Sequence, residues 1–353
     1  MTTSSATAAR LEVTRLSASR EREWDAFVGA EPAGSHYHRA GWARVIGGTF
    51  GPTPHYLLAE GPDGIEGILP LFAFAHPVFG RSLISVPFLN RGGLVTRSAA
   101  ARDALLAEAR RLLAQTGSRY AELRHVEPTD PSLPCRSHKI SMSLSLAGGV
   151  DAVWDAVGSK VRNLVRKAQK AGLAARPGDP ARDLPAFYDL FARNMRDLGT
   201  PVYTPRFFGE VFREFPADAR LTLVEHEGRA VAAGIRVTHG SFTEMHWAAS
   251  RREALPLAPN MLLYWECIAE AARSGLQEFC FGRSTEDSGP HRFKKQWGAQ
   301  PTRLHWEYVL APGAAPPRLG VDDPRFALAI RVWQRLPLVV TRVLGPPIVR
   351  HLP

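Results

Sequence analysis

The sequence predicts an α/β chain built from two modules of one type. Three observations point there. A succession of helix, strand, hairpin, strand, strand, helix and strand occurs twice, about 160 residues apart, and internal repetition of this kind marks a duplicated architecture. Glycine turns fall at matching places in the two halves, although the residues themselves scarcely repeat. Finally, 353 residues with 45% hydrophobic and 22% charged side chains can bury one large core or two ordinary ones, which excludes a disordered chain.

In the first half, residues 1–10 are expected to be disordered. Leu11 to Leu16 alternates as a strand, and Glu21 to Ala30 has helical spacing. The loop Gly34-Ser35-His36-Tyr37-His38 feeds a helix from Ala40 to Gly47. Strands follow at His55 to Glu60 and Ile65 to Ala75, joined by the hairpin turn Gly61-Pro62-Asp63-Gly64, and then at Ser82 to Pro87. After Asn90-Arg91-Gly92-Gly93 comes a helix from Ala99 to Gln115, rich in Ala, Leu, Arg and Glu, with Gly117 as its C-cap. Tyr120 to His125 closes the module.

The second half repeats the order. Pro205 to Phe215 reads as a helix, and Arg220 to Glu225, Ala230 to Thr238 and Phe242 to Ala249 as strands. Asn260 to Ser274 is a helix capped by Gly275, and Gln277 to Phe281 is the closing strand. Between the halves, Asp151 to Ala171 reads as one helix. Val161, Leu164, Val165 and Ala168 lie on one side of it, and Lys160, Arg162, Arg166, Lys167 and Lys170 on the other. Residues 311–324 form a Pro/Gly/Ala-rich linker.

Charge is uneven around a formal net of +10. Gly158 to Arg176 carries six basic residues and no acid, and the tail carries Arg325, Arg331, Arg335, Arg342 and Arg350, again with no acid among them. Such surfaces attract anionic partners as a class. The tail pattern suits either a membrane surface or packing back on the body. No run of eighteen uncharged apolar residues occurs, and the N-terminus has no apolar signal core. Cys135, Cys267 and Cys280 form no disulfide framework. A cytoplasmic location is expected, peripheral at the inner face of the membrane if the tail binds there.

Residues 278–298, EFCFGRSTEDSGPHRFKKQWG, concentrate the chemistry. A short strand ends in glycine, and the polar turn Arg283-Ser284-Thr285-Glu286-Asp287 precedes a basic-aromatic segment, His291 to Trp297. Converging cations and backbone N–H groups suit a phosphate, a carboxylate or a developing oxyanion. The plainer alternative is an amphipathic turn with Phe293 and Trp297 as core anchors four residues apart. Acyl transfer to an amine needs a fixed cation beside the oxyanion and a base for the amine's proton. Glu286, Asp287 and His291 are the nearest bases, unranked. Cys280 reads as a buried strand residue. No GxGxxG, Walker A, HExxH or GxSxG motif is present, and His36 and His38 lack local cysteine or carboxylate partners, so no metal is expected.

Three segments carry a resemblance: 35–46 (SHYHRAGWARVI), 159–173 (SKVRNLVRKAQKAGL) and 281–298 (FGRSTEDSGPHRFKKQWG). The chain resembles the FemAB family of aminoacyl transferases within the acetyltransferase (GNAT) superfamily. The likeness is greatest to FemAB-like proteins associated with exosortase (PEP-CTERM) and exopolysaccharide systems. It implies an α/β (α+β) fold of tandem acetyltransferase-like domains, each a mixed, mostly antiparallel sheet flanked by helices. The expected bounds are 11–150 and 151–310, followed by the linker and a basic amphipathic tail at 325–353.

The resemblance also implies N-acyl or aminoacyl transfer to an amino-bearing cell-envelope or exopolysaccharide precursor. Lys294 would sit at the acyl carbonyl, with Arg283, Glu286, Asp287 and His291 as the remaining catalytic candidates. Arg44 would lie near the acceptor, and Lys160 and Arg162 would begin the basic helix of the second domain. Tyr37, His38, Asn90, Arg91, Lys167, Ser284, Lys295 and Trp297 complete the expected substrate-binding set. No tightly bound cofactor is expected, and the donor stays open between acyl-CoA and aminoacyl-tRNA. The expected acceptor is an anionic small molecule, a sugar-nucleotide or a lipid-linked precursor. The chain departs from the family in having His38-Arg39 for the usual Gln-Ser, no long helical-hairpin insertion, and Leu255-Pro256-Leu257-Ala258 where acetyltransferases place a pyrophosphate loop. Those departures suit the rival expectation of a catalytically inactive scaffold or binding module.

Overall fold

A computed structural model describes residues 11–76, 80–317 and 327–352. The expected disorder of residues 1–10, half of the linker (318–324), and Arg325 and Phe326 of the tail lie outside the described residues. In chain order the first elements are β1 (Glu12–Arg15), α1 (Glu21–Ala30), α2 (Gly41–Phe50), β2 (Thr53–Gly61), β3 (Gly64–His76) and β4 (Gly80–Ile84). Next come β5 (Val95–Thr96), α3 (Ala99–Thr116), β6 (Tyr120–His125), β7 (Cys135–Ser145), α4 (Gly149–Ala156), α5 (Ser159–Lys170) and β8 (Ala174–Pro177). They are followed by α6 (Pro180–Asp197), α7 (Pro205–Glu214), β9 (Ala219–His226), β10 (Arg229–His239) and β11 (Phe242–Ser250). The chain ends with α8 (Pro259–Arg273), β12 (Glu278–Ser284), α9 (Gly289–Lys295), β13 (Gln300–Leu310), α10 (Ala327–Arg335) and α11 (Leu338–Val349).

The chain divides into two compact units. Unit 1 comprises Met1–Ala43, Gly51–Arg136 and His305–Pro316; unit 2 comprises Arg44–Phe50, Ser137–Leu304 and Pro317–Pro353. In unit 1, β1, β2, β3 and β4 pair antiparallel in sequence. After α3, β6 pairs parallel to β4, and the His305–Leu310 end of β13 adds antiparallel to β6. In unit 2, β8, β9, β10 and β11 likewise pair antiparallel. After α8, β12 pairs parallel to β11, and β7 adds antiparallel to β12. Strand pairing within each unit is therefore mixed and mostly antiparallel, and the parallel pair of each is made by a helical crossover.

The helices are read from sequence for clear reasons. Ser98 caps α3 by accepting from the Ala101 N–H at 3.1 Å, and Gly117 ends it in the left-handed region at φ 64°. Leu105, Leu106, Ala109, Leu112 and Leu113 of α3 are buried in one core with Leu57, Leu71, Leu83 and Leu123 of the sheet. In unit 2 the core joins Val161, Val165 and Ala168 of α5 to Leu263 and Ile268 of α8 and to Phe279, Phe281 and Trp297. The expected helix at 151–171 is in fact two. Val157 is extended and Gly158 has ψ 152°, so α4 stops and α5 restarts. The Arg162 guanidinium turns back onto the freed α4 carbonyls of Trp154 and Asp155, at 3.1 and 3.0 Å. In the tail, α10 and α11 lie against α6.

Unit 1 carries a buried polar layer. Arg124 bonds Glu122 at 2.9 Å and the Leu89 carbonyl at 2.7 Å, and Tyr308 donates to Glu122 at 3.1 Å. The Glu307 carboxylate accepts from the Thr129 hydroxyl at 2.6 Å and from the amides of Thr129 and Asp130. Burial lowers the His125 pKa to about 3, so its ring is neutral beside Glu307.

Gly93 abuts that ring: a Cβ there would lie 2.2 Å from the imidazole carbon of His125. Gly93→Ala is expected to destabilise the protein by about 1–3 kcal/mol through overpacking. Gly209, inside α7 with nothing within 4 Å of a built Cβ, is the control. Gly209→Ala should stabilise by about 0.5–1 kcal/mol. Urea denaturation of the two variants checks both signs.

Candidate functional site

The chemistry-rich segment folds as strand, turn and short helix in unit 2. Phe279, Cys280 and Phe281 of β12 are buried, and Gly282 turns the chain at φ 76°. Pairing of β12 with β7 shifts register between Cys280 and Arg283, so the strand ends irregularly. Asp287 takes the left-handed conformation at φ 59°, and Ser288 caps α9 through the His291 N–H. Phe293 and Trp297 pack against Tyr264, with ring centroids 5.1 and 6.5 Å away. Those two anchors fix the roll of α9.

With α9 so placed, Lys294 points inward. It is 7% exposed, and its ammonium donates to the carbonyls of Gly282 at 2.9 Å and Arg283 at 2.8 Å. These acceptors lie where the register shift disturbs the ladder, so the lysine completes the strand end. Burial lowers its pKa from 10.5 to about 8, against which the Cys280 thiol and the Glu244 carboxylate favour the charged form. An ammonium has three N–H donors, so these carbonyls hold two and one is left over.

Around the lysine stand groups the sequence reading passed over. Glu244 on β11 is fully buried and sits opposite Cys280 in the parallel register. His246 follows on the same face, its Nδ1 4.0 Å from the Glu244 carboxylate. The Cys280 sulfur lies 3.2 Å from the Ser141 hydroxyl and accepts from the Gly282 N–H at 3.2 Å. The available signal was a carboxylate and an imidazole two apart in an otherwise apolar strand.

The other expected residues fall into three places. Within the turn, Arg283 is half-buried, and Ser284 is buried with no partner for its hydroxyl. Glu286 is exposed, 3.8 Å from Arg303. His291 is buried, and its Nδ1 accepts from the Asp287 amide at 2.9 Å, which commits that lone pair and leaves the proton on Nε2. Asp287 and Lys295 are exposed, whereas Trp297 belongs to the core with its indole N–H unpartnered. On α5, Lys160 and Lys167 are exposed, and Arg162 is engaged by α4 as described.

Arg44 is ion-paired with Glu214 at 2.8 Å within unit 2. In unit 1, Tyr37 and His38 are buried in a 3₁₀ turn, with His38 Nδ1 2.9 Å from the Ser35 hydroxyl. Asn90 and Arg91 are half-buried in the segment after β4, where Val86 and Phe88 are left-handed at φ 40° and 66°. Leu255 to Leu257, in the place of a pyrophosphate loop, end a 3₁₀ helix whose following residue, Ala258, is also left-handed at φ 60°.

Residues 158–295 match the family model described as an acetyltransferase (GNAT) domain, which is less than half of the chain. No curated protein matches the sequence. Among solved structures, the chain is similar to FemX, at TM-score 0.67 and 16% identity over 85% of this chain and 98% of that one. It is also similar to a tandem GNAT protein from the clavulanic acid biosynthesis pathway, at TM-score 0.55 and 15% identity over 87% and 99%. L-PGS from Bacillus licheniformis aligns at TM-score 0.56 and 12% identity over 92% and 96%. The fold is thus that of the GNAT and FemAB proteins, an α/β arrangement of mixed sheets flanked by helices.

The depressed pKa of Lys294 has a measurable consequence. Between about 8 and 10.5 the unfolded chain binds a proton that the folded chain has released, so stability from this group rises with pH across that window. Lys294→Met keeps the aliphatic stem and removes the titration. The stability difference should move in favour of the unaltered protein between pH 8 and 10, read by urea denaturation at the two pH values. Truncation by Lys294→Ala strands the two carbonyls and should cost about 1–3 kcal/mol. Lys295→Ala should stay within about 0.5 kcal/mol.

Proposed function

We propose that this chain is an N-acyl or aminoacyl transferase whose acceptor is an amine on a cell-envelope or exopolysaccharide precursor. The observation that carries the reading is the buried Lys294 ammonium at the end of β12, held by two carbonyls with one N–H left over. Attack of an amine on an acyl carbonyl places negative charge on the carbonyl oxygen. A fixed cation in a water-poor site stabilises that oxyanion more than the neutral ground state. The attacking amine then loses its proton, and collapse of the tetrahedral intermediate breaks the donor's acyl–sulfur or acyl–oxygen bond and releases the CoA thiol or the tRNA hydroxyl. Glu244, whose charge the ammonium feels, and His246 beside it are the groups assigned to receive it.

We further infer that the two units are acetyltransferase-like domains in tandem. The shared strand order supports this, as does the likeness to the tandem GNAT protein. The envelope-related acceptor is supported by the likeness to FemX and by the sequence resemblance to the FemAB family. The narrower placement among exosortase-associated members rests on segments 35–46, 159–173 and 281–298 and on the Arg-Leu-Pro-rich ending. Both donor classes, acyl-CoA and aminoacyl-tRNA, fit a residue set that acts on the acyl carbonyl alone.

Acyl transfer from each donor class to amino-sugar and amino-acid acceptors, with mass spectrometry of the product, tests the activity. No product with either donor would favour a binding module. With the active pair in hand, Lys294→Met should lower single-turnover transfer by roughly 10²–10³-fold, the range for losing one oxyanion donor. The rate of the unaltered enzyme should fall above about pH 8, as the ammonium loses its proton. Lys294→Arg, which stays charged, should remove that alkaline limb. An unchanged alkaline limb in the arginine variant would overturn the assignment.

A further inference from the structure

Helix α11 is turned inside out. Thr341, Gly345 and Val349, four residues apart, are its buried stripe. The approach there is close: a Cβ at Gly345 would lie 2.9 Å from the Val202 nitrogen. Its apolar side chains face outward instead, with Val339 72%, Val343 67%, Leu344 44% and Ile348 40% exposed. Helix α10 continues the face with Leu328 at 70% and Val332 at 52%. Of the nine large hydrophobic side chains exposed among the described residues, seven lie between Leu328 and Leu352.

An eighth joins them. Leu198, at the end of α6, adjoins Gly199, whose built Cβ would meet Ile330 of α10 at 2.4 Å. The Gln334 amide donates to the Asp197 carbonyl at 3.0 Å and holds α10 at that corner. A surface helix ordinarily buries its apolar side. Here the small residues are buried and the large ones are presented, and contiguous patches of this kind mark interaction surfaces.

Charge identifies what covers the patch. Arg331 and Arg335, one turn apart on α10, and Arg350 are exposed. Arg342 is not available, being bonded to Asp189 at 2.5 Å and stacked on Tyr188. From Arg325 to Pro353 there is no acidic residue. A second copy meeting this face about a two-fold axis would bring arginine against arginine. An anionic bilayer supplies both complements, acyl chains for the valines and leucines and phosphates for the guanidinium groups. No described helix is long and apolar enough to cross a membrane, so the mode is to lie on the surface.

We infer that α10, α11 and the Leu198 corner form a membrane-surface docking face for bilayers rich in anionic phospholipid. This stands apart from acyl transfer, and its readout is lipid binding alone. The full-length protein is sedimented with phosphatidylcholine vesicles, with and without phosphatidylglycerol. It should partition onto the phosphatidylglycerol vesicles, less so as salt rises. The double variants V339D/V343D and R331E/R335E alter only exposed or half-committed positions, so their melting should match the parent. Each should bind about tenfold more weakly or worse, at about 1 kcal/mol per basic residue near the surface. Absence of binding to either vesicle would overturn the inference, as would full binding by both variants. A parent dimer in light scattering that V339D/V343D converts to monomer would also overturn it, by assigning the face to a second copy.

Discussion

A buried ammonium must find acceptors or give up its proton, and the end of β12 is built around that requirement. The register shift between Cys280 and Arg283 frees carbonyls from the ladder, and Lys294 reaches them from α9. The constraint runs both ways. The carbonyls hold the lysine, and the lysine sets how far the Gly282 turn can open. Phe293 on that helix and Trp297 just beyond it pack on each other and on Tyr264 and keep it from rolling. Lowered to about 8, the lysine pKa lies close to neutral pH, so charge at this point responds to small changes in its surroundings.

The two units share an order of strands but differ in the charged groups their interiors hold. In unit 1 several buried groups close on one another. Arg124 is matched by Glu122 and the Leu89 carbonyl, Tyr308 donates to Glu122, and Glu307 is saturated by Thr129 and Asp130, while the neutral His125 keeps an unpartnered Nε2. A largely paired polar network fixes structure. In unit 2 the corresponding region keeps a cation with spare hydrogen-bonding capacity, a buried carboxylate and the unpartnered Ser284 hydroxyl.

Much of the fold was legible because local signals agreed. For α3, a serine cap, an alanine and leucine stripe and a glycine stop all point one way, and the helix runs from Ala99 to Thr116. The hairpin at Gly64 was equally plain, since glycine at positive φ marks the turn. What was missed lacked such agreement. Strands β7 and β13, CRSHKISMSLS and QPTRLHWEYVL, begin with polar runs whose residues are exposed or half-buried. Helix α6 carries Pro185 in its first turns, where a proline discourages the assignment. At the site, Lys294 was legible by type and position, but its burial depends on tertiary packing of α9. Glu244 and His246 sit in a strand recognised only for its apolar character.

Two of the strands that sequence periodicity overlooked, β7 and β13, also complete the strand sets of the two units. The chain leaves unit 1 after β6, and the strand that closes that sheet arrives only at His305, with Tyr308 reaching Glu122 across 186 residues. During synthesis the first sheet therefore emerges with β6 as an unpaired edge, and it stays so until nearly all of unit 2 has been made. Glu122 and Arg124 on that strand place charge along the waiting edge, a known deterrent to pairing with another chain. A ribosome making this protein cannot hand over a finished first half, and maturation of both halves falls to the final stage of translation.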